Sequence, residues 1–590
     1  AIYPVLYTKN TDGLRLTEGG SLVSAKNIVV ETKEALKNAG TLYGENIIAK
    51  AGDMESSGLV LGKNIALQSE KDIRIQGSVL GEKSVVLEAK GNIAAKSTSE
   101  HLANQDVLNT TAGIAVKGAD GVLVASAGKN IELVGATLSA LGKNGSVLLS
   151  AGENITLDTK KLQSQKDMTE NAENYLRTKR GTELGTEIRA DGNISIAAGN
   201  DLKARAAAIA STEGTTSLAA GKDITLTAGR ETAEDHYGHR HTASGFLSST
   251  RTTIRIDNAT GENEASSAGI GVSFSPQGLS GLSLHASKAQ GNSKENASTY
   301  TPTEIAAKDA LQIESGKDTN ILGSTVQGNK VTAKIGGNLN IETLQEKETY
   351  EEKNTSAGFD LSWDIRAGKF SKPTFGLSAG RGTINSHYRS ARGQSGIFAG
   401  KGGFDIYVEK NTDLKGAVIA SEADAGKNRL STGTFSFSGL ENGADYSAKS
   451  IGAEYHHYGS YDKMSRQEKN KVYNTIGLSP NLSMPAKGDA NSTTSSAVAQ
   501  GTIDIRKNPT QDISALNRDT NNALNELGRI FDKQKIEEQQ ELAKTFGEEA
   551  FRLAHNLPDD GSGRKVAVHA IIGGIMSQIT GVGFASGAIG

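Results

Sequence analysis

The histidines are the side chains whose type and clustering come nearest to a reactive site. His236, His239 and His241 fall within HYGHRH, and neutral imidazole is a common metal ligand. The stretch has no cysteine and no matching set of carboxylates, so it reads as a solvated polar loop and no metal is assigned. His456 and His457 offer less. The segment GSGRK at Gly561 lacks the Gly-x4-Gly-Lys-Ser/Thr spacing of a phosphate loop, and no strand precedes it. Acidic residues are interspersed with basic ones, and no nucleophile–base–acid set stands out from the abundant Ser and Thr. No catalytic residue and no cofactor is therefore assigned, and the chain is not expected to be an enzyme. The remaining chemistry is that of apolar side chains at alternate positions. Ile270, Val272 and Phe274 share one face of a strand, and Leu282 and Leu284 follow a PQG turn. Phe359, Leu361, Trp363 and Ile365 alternate strictly, and Phe375 and Leu377 return after AGKFSKPTFG. Strands apolar on one face and Gly or Ser on the other can pair with a partner's sheet, lie against lipid, or pack back on their own scaffold. These are the candidate membrane- or partner-contacting residues.

The elements that hold these strands are written as a repeat. From Ala306 to Leu344 the chain reads AAKDALQIESGKDTNILGSTVQGNKVTAKIGGNLNIETL. Short period-two apolar runs are broken by Gly-Lys-Asp or Gly-Gly-Asn, and the phrase returns after roughly twenty residues. The same phrase stands at Leu61, Ala127, Asp191, Ala219 and Lys401. Gly, Asn and Asp accept the backbone conformations of tight corners. Alternating Ile, Leu and Val point inward, and one coil cannot bury its apolar face without a neighbour. The pattern predicts a right-handed parallel β-helix of about twenty residues per coil, in preference to a β-sandwich.

Composition agrees with that reading. Gly is abundant at 69, Pro is scarce at 8, and aromatic residues make up 5%, as suits narrow coils with many corners and an unbroken backbone ladder. A net charge of -3 with no basic stripe gives no reason to expect nucleic acid as a partner. Cysteine is absent, which leaves stacking rather than disulfides to supply stability. No signal peptide is visible, and the chain reads as a fragment of something longer. Residues 1–235 are expected as a first array of roughly a dozen coils, about 55 Å long, with a loop thrown out from Leu162 to Glu183. Residues 236–300 and 348–395 read as two projecting β-hairpins, the second carrying the only Trp. Residues 301–347 and 396–445 read as further coils, 446–501 as a polar linker, and 502–590 as a helical module with an apolar tail. Helical spacing runs from Asp512 to Leu557. The tail from Val566 has the length to span a bilayer, but its Gly, Ser, Gln and Thr favour a buried helical hairpin.

With these segments in view, the chain resembles a known family. SGIFAGKGGFDIYVEKNTDLKGAVIAS from Ser395, with GSTVQGNKVTAKIGGNLNIETLQEKETY, is similar to the second haemagglutinin-repeat region of filamentous-haemagglutinin-type exoproteins. GTIDIRKNPTQDISALNRDTNNALNELGRIFDKQKIEEQQELAKTFGEEAF is similar to the pretoxin region of contact-dependent growth inhibition exoproteins. The resemblance is strong from about Asp191 and weaker before it. It implies a secreted bacterial cell-surface filament, exported by a cognate outer-membrane transporter of a two-partner system. It implies that this region engages the target cell's outer membrane, or a receptor on it, and helps deliver a C-terminal toxin domain attached in cis. No junction motif such as Val-Glu-Asn-Asn and no toxin domain is present, so any toxin activity is expected beyond residue 590.

The residues and the resemblance together leave three readings. The first is toxin delivery between bacteria, with membrane-active hairpins. The second is a passive adhesin stalk. The third is a polysaccharide-acting β-helix enzyme, which requires Asp, Arg and Lys clustered on adjacent coils.

Overall fold

The computed structural model describes residues 21–170, 174–242, 244–246, 268–275, 278–366, 369–472, 476–555 and 564–579. The fold is mostly β, in two sheets that differ in kind: one is a parallel stack, the other antiparallel.

In the stack each strand pairs in parallel with its equivalent one coil later. Successive layers begin at Leu22, Thr41, Leu59, Ser78, Gly113, Thr137, Glu187 and Ala208, then at Glu304, Thr325, Gly396, Val418 and Ala497. A typical layer has three strands, Thr137–Ala140, Ser146–Ala151 and Ile155–Asp158. Alternation puts Leu138, Val147, Leu149, Ile155 and Leu157 inside, all buried. Among the described residues eight layers begin before residue 235, where roughly a dozen were expected over 1–235. The chain consumed by strands that leave the stack accounts for part of the difference.

The repeated corner phrase has a physical use. In Ala127-Gly-Lys-Asn, Ala151-Gly-Glu-Asn, Ala198-Gly-Asn-Asp, Ala220-Gly-Lys-Asp and Ser315-Gly-Lys-Asp the glycines stack on one another. A Cβ on Gly152, Gly199, Gly221 or Gly316 would lie 2.1–2.3 Å from the carbonyl oxygen of the glycine one layer away. The Asx residues two positions on form a ladder. Asn92 donates its backbone and side-chain N–H to Asp72 Oδ1 at 2.8 and 3.0 Å, and Asn130 does the same to Asn92 Oδ1 at 3.2 and 3.0 Å. The chain of bonds continues through Asn154, Asp201, Asp223, Asp318 and Asn338 to Asn411. Each Asx oxygen satisfies a corner N–H that the parallel ladder leaves unpaired.

The third corner of the coil decides the rest. After the layers beginning at Gly113, Glu187, Glu304 and Gly396 it is a tight turn through Gly135, Ala206, Gly323 and Gly416, with φ of +54°, +46°, +62° and +56°. After the layers between them the chain leaves through this same corner and returns to it. It does so five times, giving ten strands that pair antiparallel in series: β1 (Thr98–Leu102), β2 (Gln105–Thr110), β3 (Lys160–Thr169), β4 (Tyr175–Leu184), β5 (Gly229–Thr242), β6 (Gly278–Thr301), β7 (Glu346–Arg366), β8 (Thr374–Ser390), β9 (Leu440–His457) and β10 (Gly477–Thr494); the shorter Ser244–Phe246, Ala268–Ser275 and Lys369–Phe370 lie off this series. Two layers rise about 9.6 Å, and a hairpin two strands wide also occupies about 9.6 Å. The hairpins therefore tile edge to edge, and β1 to β10 pair in chain order as one meander. Buried hydroxyls close the hairpin bases. Ser97 Oγ donates to Gly135 O at 2.6 Å, Thr303 Oγ1 to Thr227 O at 2.8 Å, Thr343 Oγ1 to Gly416 O at 2.6 Å, and Ser496 Oγ to Ser438 O at 2.7 Å.

Three expectations change here. The loop expected at Leu162–Glu183 is the hairpin β3–β4. The linker expected over 446–501 holds most of β9 and all of β10, with the short helix α1 (Arg466–Val472) between them. These strands are polar on both faces near their bases, so periodicity did not reveal them. The helix expected from Asp512 begins instead at Lys533. Residues 506–532 run without helix over the last coil, where Leu516 is buried against the stack core. Two helices come next, α2 (Lys533–His555) and α3 (Arg564–Ile579), which share a small core of Ala543, Ala554, Ile572 and Met576. Among the described residues no helix is long and apolar enough to cross a membrane.

Candidate membrane- or partner-contacting face of the antiparallel sheet

Directly paired residues in an antiparallel sheet share a face. Register therefore states which candidates converge. Ile270 pairs with Leu284, Leu284 with Leu361, Leu361 with Phe375, and Phe375 with His457. One row on, Val272 pairs with Leu282 and Leu282 with Trp363. In the row on the other side Ala286, Phe359, Leu377, Tyr455 and Leu478 are aligned. Phe274 and Ile365 continue the same parity on their strands. All the apolar candidates thus lie on one face of the sheet's distal part, although sequence placed them in two separate hairpins. The side chains of Ile270, Val272, Phe274, Leu282 and Ile365 lie outside the described residues, so for these only the strand register is stated.

Among the described residues this face is left partly open. Leu284 is 40% exposed, Leu377 47%, Ile451 65% and Leu478 74%. Ile451 and Leu478 were not singled out from sequence. Ile451 stands in the alternating run Ile451, Ala453, Tyr455, a period-two signal interrupted by polar residues too often to be read alone. Phe375 packs its ring 5.4 Å from that of Tyr455. The opposite face of the same rows is small and polar: Ser283, Asp360, Ser362, Gly376 and Ser378.

Nearer the stack the polarity changes. The continuation of the apolar face carries Lys347, Glu351 and Lys353, all exposed. The continuation of the polar face carries Tyr350, Glu352, Ile384, Ala448 and Ala486, which pack with Ile536 of α2 and with Phe531. The chain's own helix therefore covers the face opposite the apolar rows. A recess of about 460 Å³ separates α2 from this face, lined in part by Gly291, Asn354, Ser450 and Gln540.

The buried charge lies on the helix-covered face. Lys533 Nζ lies 2.6 Å from Glu352 Oε2, with Glu352 4% exposed. Tyr350 OH also donates to Glu352, and burial, then the neighbouring carboxylate, pushes the Tyr350 hydroxyl far above its ordinary pKa. Arg529 Nε pairs with Glu348 at 2.7 Å, which raises the guanidinium pKa further. Glu295 is half-buried, and burial, with Glu348 and Asp235 beside it, holds its pKa above the usual carboxylate range.

The histidines do not converge. His236, His239 and His241 lie on strand β5 rather than in a loop, paired with Lys294, Gly291 and Ala289. His236 therefore faces away from the other two, whose side chains lie outside the described residues. Among the described residues no group of three His, Cys, Asp or Glu side chains is placed to hold a metal ion. The aspartates on adjacent coils, Asp201, Asp223 and Asp318, are engaged in the corner ladder. They do not form the open acidic groove that a polysaccharide-acting site requires.

Comparison with known proteins agrees with the repeat. The family model for the hemagglutinin repeat matches residues 49–169 and 168–357, which extends the likeness well upstream of Asp191. Deoxyribonuclease CdiA of Yersinia pseudotuberculosis is 33% identical over 315 residues, 52% of this chain and 28% of that protein. The tRNA nuclease CdiA of Yersinia mollaretii is 37% identical over 300 residues, 50% of this chain and 9% of that protein. Toxin CdiA of Escherichia coli is 33% identical over 357 residues, 56% of this chain and 11% of that protein. The chain thus spans a minor part of the length of these relatives. No solved structure matches it. Since the repeat model covers more than half of its residues, the chain belongs to the hemagglutinin-repeat family.

Proposed function

We propose that this chain is a right-handed parallel β-helical segment of a secreted, CdiA-like cell-surface exoprotein, exported by a two-partner outer-membrane transporter. In this reading the antiparallel sheet lays its apolar rows on the outer membrane of a target cell, and the segment helps to deliver a C-terminal toxin held in cis. The observation that carries the reading is the uncovered face of Leu284, Phe359, Leu361, Trp363, Phe375, Leu377, Ile451 and Leu478, backed by Gly, Ser and Asp. The apolar rows on β7 run from Ala357 to Ile365, nine residues, or about 27 Å at the rise of an extended strand. That matches the nine to eleven residues, about 25–30 Å, that a strand needs to cross hydrocarbon. Full transfer of an exposed Leu or Ile into lipid is worth about 1.5–3 kcal/mol, so four partly exposed residues support reversible binding.

The test is flotation of the intact chain with vesicles of outer-membrane lipid, beside the double variant Leu377→Lys/Ile451→Lys. Each lysine on a lipid-facing strand costs about 2–4 kcal/mol at the bilayer midplane. The intact chain is expected to float, and the variant to stay at the bottom with an unchanged circular dichroism spectrum. Equal flotation of both overturns the assignment of the face. Failure of both to float moves the reading towards a protein receptor or a passive stalk.

A further inference from the structure

The C-terminal segment is held on the sheet in a manner unlike anything else in the fold. Up to residue 523 the chain is tied to the stack. Thr502–Ile505 pairs in parallel with Arg429–Thr432, the Arg518 guanidinium donates to Ala499 O at 2.9 Å, and Ala523 is buried. At Asn525 the backbone turns through φ +46°, a left-handed value that Asn tolerates better than most residues. From there the chain crosses the sheet from its edge inward, bound almost wholly through side chains. Asn525 Nδ2 donates to Thr493 O on β10 at 2.9 Å. Leu527 N donates to Ser390 Oγ on β8 at 3.0 Å, and Tyr388 OH donates to Leu527 O at 2.8 Å. Arg529 pairs with Glu348 on β7, and the Phe531 ring lies 5.2 Å from that of Tyr350. Lys533 then meets Glu352, which also accepts from Tyr350 and from Asn354 Nδ2.

Strands β7 to β10 complete their hydrogen-bond ladders with one another. Removal of the crossing segment breaks none of those pairs. The second half of α2 packs on α3 through Ala543, Gly547 and Met576, and both helices also touch β10. The segment thus has its own small core, a corner at its root, and one deeply buried ion pair in the middle of its footprint. A buried pair of this kind contributes little net stability when intact, but removal of one partner strands a charge and is strongly destabilising. This is the energy profile of a lock.

We propose that residues 526–555 and 564–579 form a strap that leaves the sheet as one unit, turning at Asn525, with the Lys533–Glu352 pair as its lock. Release uncovers the surface of Tyr350, Glu352, Ile384, Tyr446, Ala448 and Ala486 and frees α2 and α3 while stack and sheet stay folded. The inference concerns this chain's own energetics and does not depend on the membrane reading.

The test is amide hydrogen exchange on the full chain, comparing the parent with Lys533→Met and with the charge-swapped double Glu352→Lys/Lys533→Glu. In Lys533→Met the amides of α2 and α3 should lose protection together, by about 100-fold. Those of β7, β8 and the stack strand Ile131–Val134 should keep theirs. The swapped double should recover at least part of the loss. Unchanged exchange in α2, loss in α2 without α3, or an equal loss spreading through β7 and β8 each overturns the proposal. A variant that fails to fold would lose protection in Ile131–Val134 as well, and would show the strap to be integral rather than detachable.

Discussion

The parallel stack and the antiparallel sheet grow from the same corner of the same coil, yet they bury opposite things. In the stack each apolar side chain faces an equivalent one a layer away, so a single repeat phrase creates the core by repetition. In the sheet the distal strands have apolar side chains and, among the described residues, no layer over them. Backbone hydrogen bonds hold these strands in place, and their faces remain free for another surface. From the layer at Ser78 onward the difference arises at the end of the third strand: a left-handed turn there closes the coil, and a hairpin in its place opens it.

The largest predicted effects separate the two regions by core burial. Leu133→Ala in the stack removes a fully buried side chain and should lower stability by about 3 kcal/mol, read as a fall in the urea midpoint. Leu377→Ala removes a residue 47% exposed. It should change that midpoint by no more than about 0.5 kcal/mol equivalent while weakening vesicle binding. Similar losses of stability at both sites would erase the distinction.

A smaller effect tests the corner. In Gly323→Ala a side chain is forced into a left-handed position, where its Cβ would meet Leu344 Cδ1 at 2.5 Å. A loss of about 1–2 kcal/mol is expected. Ala206 occupies the equivalent corner at φ +46°, so Ala206→Gly should gain about 0.5–1 kcal/mol. Thermal unfolding of the two variants should therefore move in opposite directions.

The corner pattern also shows how far the sequence could be read. Stacking was visible because the Gly-Lys-Asn phrase and the inward Ile and Leu recur together, and both have local causes. The apolar rows were visible at Phe359–Ile365 and Ile270–Phe274 because strict alternation survives without context. That the hairpins join into one sheet was not read from them. The signal was present in the tight corners at Gly135, Ala206, Gly323 and Gly416, which mark every second layer from Gly113 onward and so set the hairpin spacing. The strands β1 to β4, β9 and β10 were missed because they are stabilised by their neighbours' edges rather than by a buried face. Residues 512–532 carry helical spacing, but Leu527, Arg529 and Phe531 are claimed by partners on the sheet that only the fold brings near.

The smallest effect concerns charge beneath the strap. Glu295 has its pKa raised by burial and by the carboxylates of Glu348 and Asp235. A raised carboxylate pKa means that its contribution to stability is present below the unfolded value, about 4.3, and is lost as pH rises through the folded value. Glu295→Gln should therefore raise the urea midpoint slightly at pH 7 and leave it nearly unchanged at pH 4. The sign would reverse if Glu295 were held mainly by Arg180 or Arg529. In the stack Asp72 has the opposite character. The backbone N–H of Asn92 lowers its pKa, so its contribution is lost on acidification.

The most direct measurement of the central claim uses the chain's single tryptophan. Trp363 lies in the middle of the apolar rows, so its fluorescence reports on that face and on no other part of the molecule. On addition of outer-membrane lipid vesicles, the account predicts a blue shift of its emission and quenching by lipids brominated along their acyl chains. An emission spectrum unchanged by vesicles, with no quenching by brominated lipid, would contradict the assignment of this face to the membrane.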